Sequence, residues 1–260
     1  MAFIECNFFS DVLGLSTSMN VILPQSTTRQ IGMQGKVKKE KYPVLYLLHG
    51  LSDDHSIWLR RTSIERYASG LGIAVIMPEV HRSFYTNMSE GPDYWTFISE
   101  ELPALAQSFF PISDKREDNF AAGLSMGGYG AFKLGLLCPD KFAAVASLSG
   151  ALDVLEFLNS GESTPEKDIE MKRIFGSVED FKGSENDLYN LAEKLAHASK
   201  PAPKFYQLCG TEDFLYKGNQ QFKEYMNKMK LPLKYYESTG THTWGLWDNY
   251  IQKVLDWLPL

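Results

Sequence analysis

The stretch that decides the fold reads Phe120-Ala-Ala-Gly-Leu-Ser-Met-Gly-Gly-Tyr-Gly130. Its apolar beginning leads into a G-x-S-x-G pentapeptide centred on Ser125, and helix-forming residues follow at positions 131–137. A strand, a sharp turn and a helix form the setting in which G-x-S-x-G presents a nucleophilic serine on a strained turn. Glycines on both sides of such a serine let the strand and the helix approach closely and leave the hydroxyl exposed. The stretch therefore predicts Ser125 as a nucleophile. The alternative is a glycine-rich turn that only packs a helix on a sheet.

Apolar runs on both sides of this stretch predict a sheet. The further strand candidates are residues 4–9, 18–23, 43–49, 73–77, 142–149, 204–209 and 233–237. Helical patterns lie among them at residues 56–69, 93–109, 219–229 and 244–258. Strands that alternate with helices predict one α/β domain over residues 1–260, with a mostly parallel sheet, helices on both faces and an antiparallel pair at one edge. Residues 151–203 lack a buried strand pattern and are predicted to form a cap-like insertion.

The composition restricts the partners and the compartment. The 260 residues are 44% hydrophobic, and 26 basic against 32 acidic residues give a net charge of −6. A modest negative charge without long single-sign blocks disfavours nucleic acid or an anionic membrane as a partner. The sequence carries no secretory signal pattern, and its three cysteines, Cys6, Cys138 and Cys209, fit neither a disulfide framework nor a zinc site. We therefore expect a cytoplasmic protein without a metal.

Two further strand ends supply an acid and a base. The strand at 204–209 is followed by Asp213, and the strand at 233–237 is followed by His242. Reactive groups of a parallel sheet collect beyond the carboxyl ends of its strands, and the chain order Ser125, Asp213, His242 is the order of α/β-hydrolases. His242 would take the serine proton, and Asp213 would hold the other ring nitrogen. Glu212 and Asp153 remain alternative acids.

Acyl transfer also needs backbone N–H groups that stabilise the oxyanion. Met126, the residue after the serine, supplies one candidate. The loop His49-Gly50-Leu51 ends an earlier strand and offers the N–H of Leu51 as the second candidate. The alternative is that Gly50 merely ends a strand.

These motifs resemble the esterase D family of α/β-hydrolases. The resemblance rests on His49-Gly-Leu-Ser-Asp-Asp54, Gly123-Leu-Ser-Met-Gly-Gly128 and the pair Asp213 and His242, and it extends over almost the whole chain. The family includes S-formylglutathione hydrolases, tributyrin esterases, and feruloyl and acetyl-xylan esterases, and the amino-terminal part here looks most like bacterial tributyrin esterases. The resemblance implies the α/β-hydrolase fold and a serine carboxylesterase that cleaves short-chain acyl esters through a Ser125 acyl-enzyme, without a cofactor.

The sequence departs from one member of that family. S-formylglutathione hydrolases carry a cysteine just after the His-Gly-Leu segment, where this chain has Ser52, Asp53 and Asp54. A thioesterase of that type, or an acyltransferase, is therefore the alternative enzyme. A non-catalytic binding protein on the same scaffold is a third hypothesis, which the intact serine, aspartate and histidine disfavour.

The sequence motifs say less about the residues that bind the substrate than about the catalytic residues. The expected partner is a small-molecule ester, with acetylated or acylated sugars among the candidates, and a homo-oligomer is compatible with the sequence. Residues of the loop after the 73–77 strand and of the cap could line the substrate pocket, although apolar cap residues could equally pack internally. The loop candidates are His81, Arg82, Ser83, Phe84 and Tyr85, and the cap candidates are Leu152, Leu155 and Phe157.

Overall fold

The computed structural model describes residues 1–33, 35, 37, 40–159 and 164–260, with the backbone alone for 157–159. Eight strands of the described chain form one sheet. Its strands are β1 (Ala2–Ser10), β2 (Leu15–Leu23), β3 (Val44–Leu48), β4 (Ala74–Pro78), β5 (Asn119–Leu124), β6 (Ala144–Leu148), β7 (Lys204–Gly210) and β8 (Leu233–Ser238).

The helices follow the predicted alternation. They are α1 (Ile57–Arg61), α2 (Ile64–Ser69), α3 (Tyr94–Thr96), α4 (Leu102–Phe109), α5 (Met126–Leu137), α6 (Val154–Asn159), α7 (Pro165–Phe175), α8 (Val178–Phe181), α9 (Leu188–His197), α10 (Tyr216–Lys228) and α11 (Trp244–Trp257). A π-helical turn, Phe97–Glu101, joins α3 to α4, and a short 3₁₀ turn, Arg116–Asp118, precedes β5. In the described part of the chain, none of these helices is long and apolar enough to cross a membrane.

The sheet has the order β1-β2-β4-β3-β5-β6-β7-β8. All pairings from β4 through β3 to β8 are parallel, whereas β1 pairs with β2, and β2 with β4, in the antiparallel sense. Every residue of β3 to β6 is buried, which explains their continuous apolar runs. The predicted mostly parallel sheet with an antiparallel edge pair is confirmed.

A hydrophobic core lies on each face of the sheet. One core contains Phe132 of α5, Leu191 of α9 and Phe222 of α10. The other contains Trp58 of α1 and Ile251 of α11. Helices therefore cover both faces, as predicted, and α5 lies directly behind the serine turn.

Two predicted helices differ in detail for local reasons. The helix predicted at 56–69 is broken between α1 and α2, where the Thr62 hydroxyl donates to Trp58 O (2.6 Å) and accepts from Ile64 N (3.1 Å). Such side-chain bonds compete with the backbone ladder. The helix predicted at 93–109 contains the π-helical turn because Pro103 has no N–H to donate to Ser99 O. That carbonyl accepts from Lys141 Nζ instead, at 2.9 Å.

The described residues between 151 and 203 form α6 to α9 and contain no strand. Helix α9 packs in the same core as α5 and α10. Helix α7 lies beside the loop after β4, where Glu90 N donates to Arg173 O (2.8 Å) and Arg82 pairs with Glu170. Helix α9 thus belongs to the helical layer on one face of the sheet. Helix α7 borders the loops that follow the carboxyl ends of the strands.

Candidate active site

Ser125 occupies a strained turn between β5 and α5. Its backbone has φ +53° and ψ −118°, a left-handed conformation that is rare for a residue with a side chain. Two backbone bonds hold the turn, from Ser125 N to Leu148 O (3.0 Å) and from Ala151 N to Ser125 O (3.2 Å). The Ser125 side chain makes no capping bond to α5, and the residue is partly exposed. The turn therefore presents the hydroxyl to the space above the sheet.

The two glycines of the motif are required by close backbone contact. A Cβ atom on Gly123 would overlap the carbonyl group of Gly127, and one on Gly127 would overlap Leu48 O of the neighbouring strand. Any side chain at either position would separate α5 from β3 and β5. The steric reason predicted for both glycines is confirmed.

Asp213 and His242 meet at the ends of β7 and β8. The Nδ1 atom of His242 lies 2.8 Å and 3.0 Å from the two carboxylate oxygens of Asp213. The Asp213 side chain is fully buried, and its Oδ1 also accepts from Leu215 N at 2.9 Å. Glu212 is exposed, and Asp153 accepts the Tyr189 hydroxyl at 2.9 Å instead. Of the three candidate acids, the structure brings Asp213 to the histidine.

Aromatic rings hold the His242 imidazole on two sides. The ring centroid of Phe214 lies 4.6 Å from that of His242, and the centroid of Trp247 lies 4.8 Å away at nearly a right angle. Because Nδ1 is bonded to Asp213, Nε2 is the ring nitrogen left for a reaction partner. The flanking rings restrict rotation of the imidazole.

Ser125 and His242 line a single cavity of about 370 Å³. Its walls come from the loop after β3, the loop after β4, the serine turn and the start of α11. The lining residues are Gly50, Leu51, Ser52, Asp53, Arg82, Phe84, Leu124, Ser125, Ala151, Phe214, His242, Trp244 and Trp247.

The segment His49–Leu51, here called the oxyanion loop, is held in one conformation. His49 Nδ1 lies 2.8 Å from Gly50 O, and His49 Nε2 accepts a hydrogen bond from Val80 N at 3.1 Å. A Cβ on Gly50 would lie 2.7 Å from a methyl group of Leu124, so glycine permits the loop to approach the serine turn.

Met126 begins α5, so its N–H has no acceptor within the helix. Its side chain is fully buried, which fixes the residue against the core. Leu51 and Met126 thus lie on two different elements that border the same serine.

Glu79, at the end of β4, ties the surrounding loops together. Its carboxylate accepts from His81 N at 2.7 Å and from His55 N at 3.1 Å. Burial alone would raise the pKa of Glu79, yet the neighbouring His49, His81 and His55 groups outweigh it and lower the pKa to about 2. Glu79 is therefore ionised throughout the physiological range.

Asp54, His55 and Glu79 have potential metal-ligand atoms within 4.8 Å of one another. Their oxygens, however, already accept hydrogen bonds. Asp54 Oδ1 accepts from Ser56 N and Oγ, and Glu79 accepts the two backbone N–H groups. The hydrogen bonds account for this cluster without an ion.

Of the predicted substrate-lining residues, Arg82 and Phe84 line the cavity that holds Ser125, whereas His81, Tyr85, Leu152 and Leu155 lie outside it. His81 is largely exposed and borders a neighbouring groove with Tyr94. Tyr85 is fully buried and donates its hydroxyl to His49 O. Leu152 and Leu155 line a separate cavity of about 400 Å³ beside Tyr189. The side chain of Phe157 lies outside the described residues.

Three aromatic residues that were not predicted to line the pocket form further walls of this cavity. Phe214 follows Asp213 directly, and Trp244 and Trp247 follow His242 by two and five positions. The short sequence distance from Asp213 or His242 could therefore have predicted that these three aromatic residues line the cavity. Phe84 belongs to the loop after β4 that was predicted to line the pocket, and the loop conformation decides that its ring, and not that of Tyr85, borders the cavity.

Comparison with known proteins identifies relatives along nearly the whole chain. Residues 10–258 match the family described as "Putative esterase". The acetyl esterase of Caldicellulosiruptor saccharolyticus is 32% identical, covering 99% of this chain and 98% of that protein. Two Staphylococcus aureus structures are each 36% identical and cover 99% of this chain and 98% of their own: the substrate-bound fluorophosphonate-binding serine hydrolase FphF, with a TM-score of 0.88, and the S-formylglutathione hydrolase FrmB, with a TM-score of 0.85.

These matches run nearly from end to end of the chain, and they converge on ester-cleaving serine hydrolases. The chain therefore belongs to this esterase family and is a serine carboxylic ester hydrolase with the α/β-hydrolase fold.

Proposed function

We propose that this esterase hydrolyses short-chain acyl esters through an acyl-enzyme on Ser125, with His242 as the base and Asp213 as its partner. The observation that carries the proposal is the single cavity into which Ser125 and His242 both open, with His242 Nδ1 bound to the buried Asp213 carboxylate. This arrangement leaves His242 Nε2 to act on the serine proton.

The reaction follows from proton transfer. His242 Nε2 takes the proton from Ser125 Oγ as that oxygen attacks the ester carbonyl, and the Asp213 carboxylate stabilises the imidazolium. When the tetrahedral intermediate collapses, the imidazolium returns the proton to the departing alcohol oxygen. Water then attacks the acyl-enzyme by the same steps, which releases the carboxylic acid and restores the serine.

The N–H groups of Leu51 and Met126 are the proposed oxyanion donors. Leu51 lines the cavity beside Ser125, and Met126 carries an N–H without a helical acceptor. Fixed donors of this kind stabilise negative charge as it develops on the carbonyl oxygen. Removal of one such donor typically costs about 10²-fold to 10³-fold in kcat.

The size of the cavity supports a preference for short acyl groups. A volume of about 370 Å³, walled by Phe84, Phe214 and Trp244, has room for acetyl or butyryl groups and not for long chains. The name of the Caldicellulosiruptor relative, an acetyl esterase, supports the same preference. We further propose that the described part of residues 151–203 forms a cap, because α7 borders the loop that contributes Arg82 to the cavity.

The test is a series of p-nitrophenyl esters from acetate to palmitate, together with tributyrin, assayed with the wild-type enzyme and Ser125→Ala. We expect fast turnover of acetate and butyrate and a steep fall with longer chains. We expect Ser125→Ala to lose roughly 10⁴-fold or more in kcat while its circular dichroism spectrum is unchanged. Efficient cleavage of palmitate would contradict the pocket argument, and an active Ser125→Ala would contradict the nucleophile.

Thioester hydrolysis is the second candidate, because a structure 36% identical to this chain is named S-formylglutathione hydrolase. The same Ser125, His242 and Asp213 would serve it. The absence of cysteine at Ser52, Asp53 and Asp54 disfavours it, since the family enzymes of that type carry one there. Comparison of kcat/KM for S-formylglutathione and p-nitrophenyl acetate distinguishes the two.

A further inference from the structure

The loop after β4 carries unusual backbone strain. Within residues 79–86, here called the clamp loop, His81, Phe84 and Tyr85 have φ values of +50°, +52° and +54°. Left-handed backbone is a genuine outlier for bulky side chains, and it persists only where the surroundings over-determine it. Three such residues among eight indicate that the clamp loop is held in place by strong contacts elsewhere.

The clamp loop makes hydrogen bonds to the oxyanion loop. The backbone N–H of Val80 donates to His49 Nε2 at 3.1 Å, and the Tyr85 hydroxyl donates to His49 O at 2.9 Å. Arg82 Nη1 donates to Leu51 O at 3.3 Å. The clamp loop therefore bonds both ends of the three-residue segment that contains the proposed oxyanion donor.

Tyr85 also contacts the helix that follows the serine. A Cβ on Gly130 of α5 would lie 2.6 Å from the Tyr85 ring, so the ring packs directly on the α5 backbone. Lys133 Nζ, one turn further along α5, donates to Tyr85 O at 3.4 Å. The side chain is fully buried, and burial raises the pKa of Tyr85 well above its usual range, which keeps the hydroxyl a donor.

One side chain thus touches both elements that carry the proposed donors. Its ring rests on α5, which begins at Met126, and its hydroxyl holds the carbonyl of His49, two residues before the Leu51 N–H. We propose that the clamp loop sets the distance between the Leu51 and Met126 N–H groups, with Tyr85 and Arg82 as its two positioning residues. The proposal rests on the oxyanion assignment made above.

The central test is Tyr85→Phe against Tyr46→Phe. Tyr46 lies on β3, is equally buried, and within the described residues its hydroxyl has no hydrogen-bond partner, so its removal is a matched control. With p-nitrophenyl acetate we expect Tyr85→Phe to lower kcat about tenfold with KM within about twofold, less than the loss of a whole donor. The affinity for a trifluoromethyl ketone inhibitor, which forms the tetrahedral adduct, should fall by a similar factor. Tyr46→Phe should change neither.

A second pair keeps the test decisive if Tyr85→Phe does not fold. Arg82 is half exposed and forms a bidentate ion pair with Glu170, so Arg82→Gln and Glu170→Gln both remove that ion pair. Only Arg82→Gln also loses the bond to Leu51 O. We expect kcat and inhibitor affinity to fall for Arg82→Gln and to stay within about twofold for Glu170→Gln.

The outcomes separate this inference from the proposed function. If Tyr85→Phe lowers the melting temperature while kcat and inhibitor affinity equal those of Tyr46→Phe, Tyr85 is only structural and the inference fails. If Tyr85→Phe does not fold, the second pair decides, and equal kcat values in Arg82→Gln and Glu170→Gln would overturn the inference. An active Ser125→Ala would instead refute the mechanism on which the inference depends.

Discussion

At the residue scale, burial decides which carboxylate can orient His242. Asp213 is fully buried against the imidazole, whereas Glu212 is exposed. We expect Asp213→Asn to lower kcat by about 10⁴-fold, because an amide favours the wrong tautomer of the base. Glu212→Gln is the control and should stay within about twofold, since exposed loop substitutions rarely perturb a site. Steady-state kinetics with p-nitrophenyl acetate would measure both, and a larger loss in Glu212→Gln would transfer the role.

The sequence predicted the serine, the acid and the base because each lies in the turn or loop that follows a strand. Parallel strands end at the same edge of a sheet, so register alone brings Ser125, Asp213 and His242 to one place. Tyr85 could not be placed in this way. Its left-handed backbone turns the ring into the protein, and no periodic pattern in a loop records that direction. The same limit applies to Leu152, which faces a different cavity.

At the element scale, the contact between α5 and the sheet depends on the absence of side chains. We expect Gly127→Ala to destabilise the protein by about 1–3 kcal/mol, because its Cβ would overlap Leu48 O and force helix and strand apart. Gly245→Ala in α11 is the control, since nothing lies within 4 Å of its added Cβ. Urea unfolding followed by tryptophan fluorescence would measure both. Equal stability of the two variants would contradict the close packing of α5.

Strands that are buried on both faces of the sheet could be predicted from the sequence. Strands β3 to β6 are buried on both faces, so their apolar runs left little alternative. Helix interruptions were harder, because they depend on single hydrogen bonds. The break at Thr62 accompanies the bond from its hydroxyl to Trp58 O, which apolar periodicity does not record. The π-helical turn follows from Pro103, and the carbonyl that it leaves free at Ser99 accepts from Lys141 in a distant segment.

At the scale of the whole molecule, one buried charge links several layers of the fold. Lys133 of α5 is almost completely buried; its Nζ donates to Asn186 Oδ1 at 2.6 Å and lies 4.5 Å from the centre of the Trp95 ring. It also donates to Tyr85 O in the clamp loop. Burial lowers the pKa of Lys133 to about 7, so its protonation state changes near neutral pH.

The contribution of Lys133 to the stability of the molecule should therefore rise with pH above neutrality. An unfolded lysine keeps its proton up to about pH 10.4, whereas folded Lys133 loses it near 7, so between these values the unfolded state binds more protons. Linkage then makes the free energy of unfolding increase by up to about 1.4 kcal/mol per pH unit over that window. Below pH 7 both states are protonated, and this contribution is constant.

Urea unfolding of the wild type, Lys133→Met and Lys228→Met at pH 7, 8 and 9 would isolate the effect. Lys228 is exposed at the end of α10, so its variant controls for the loss of one positive charge and should keep the wild-type slope. The slope of Lys133→Met should be smaller than that of the wild type by the Lys133 contribution, because all other titrating groups are common to the three proteins and only the buried amine is missing. If Lys133→Met keeps the wild-type slope, the bonds to Asn186 and the Trp95 ring hold Lys133 charged, and burial is not the dominant influence on it.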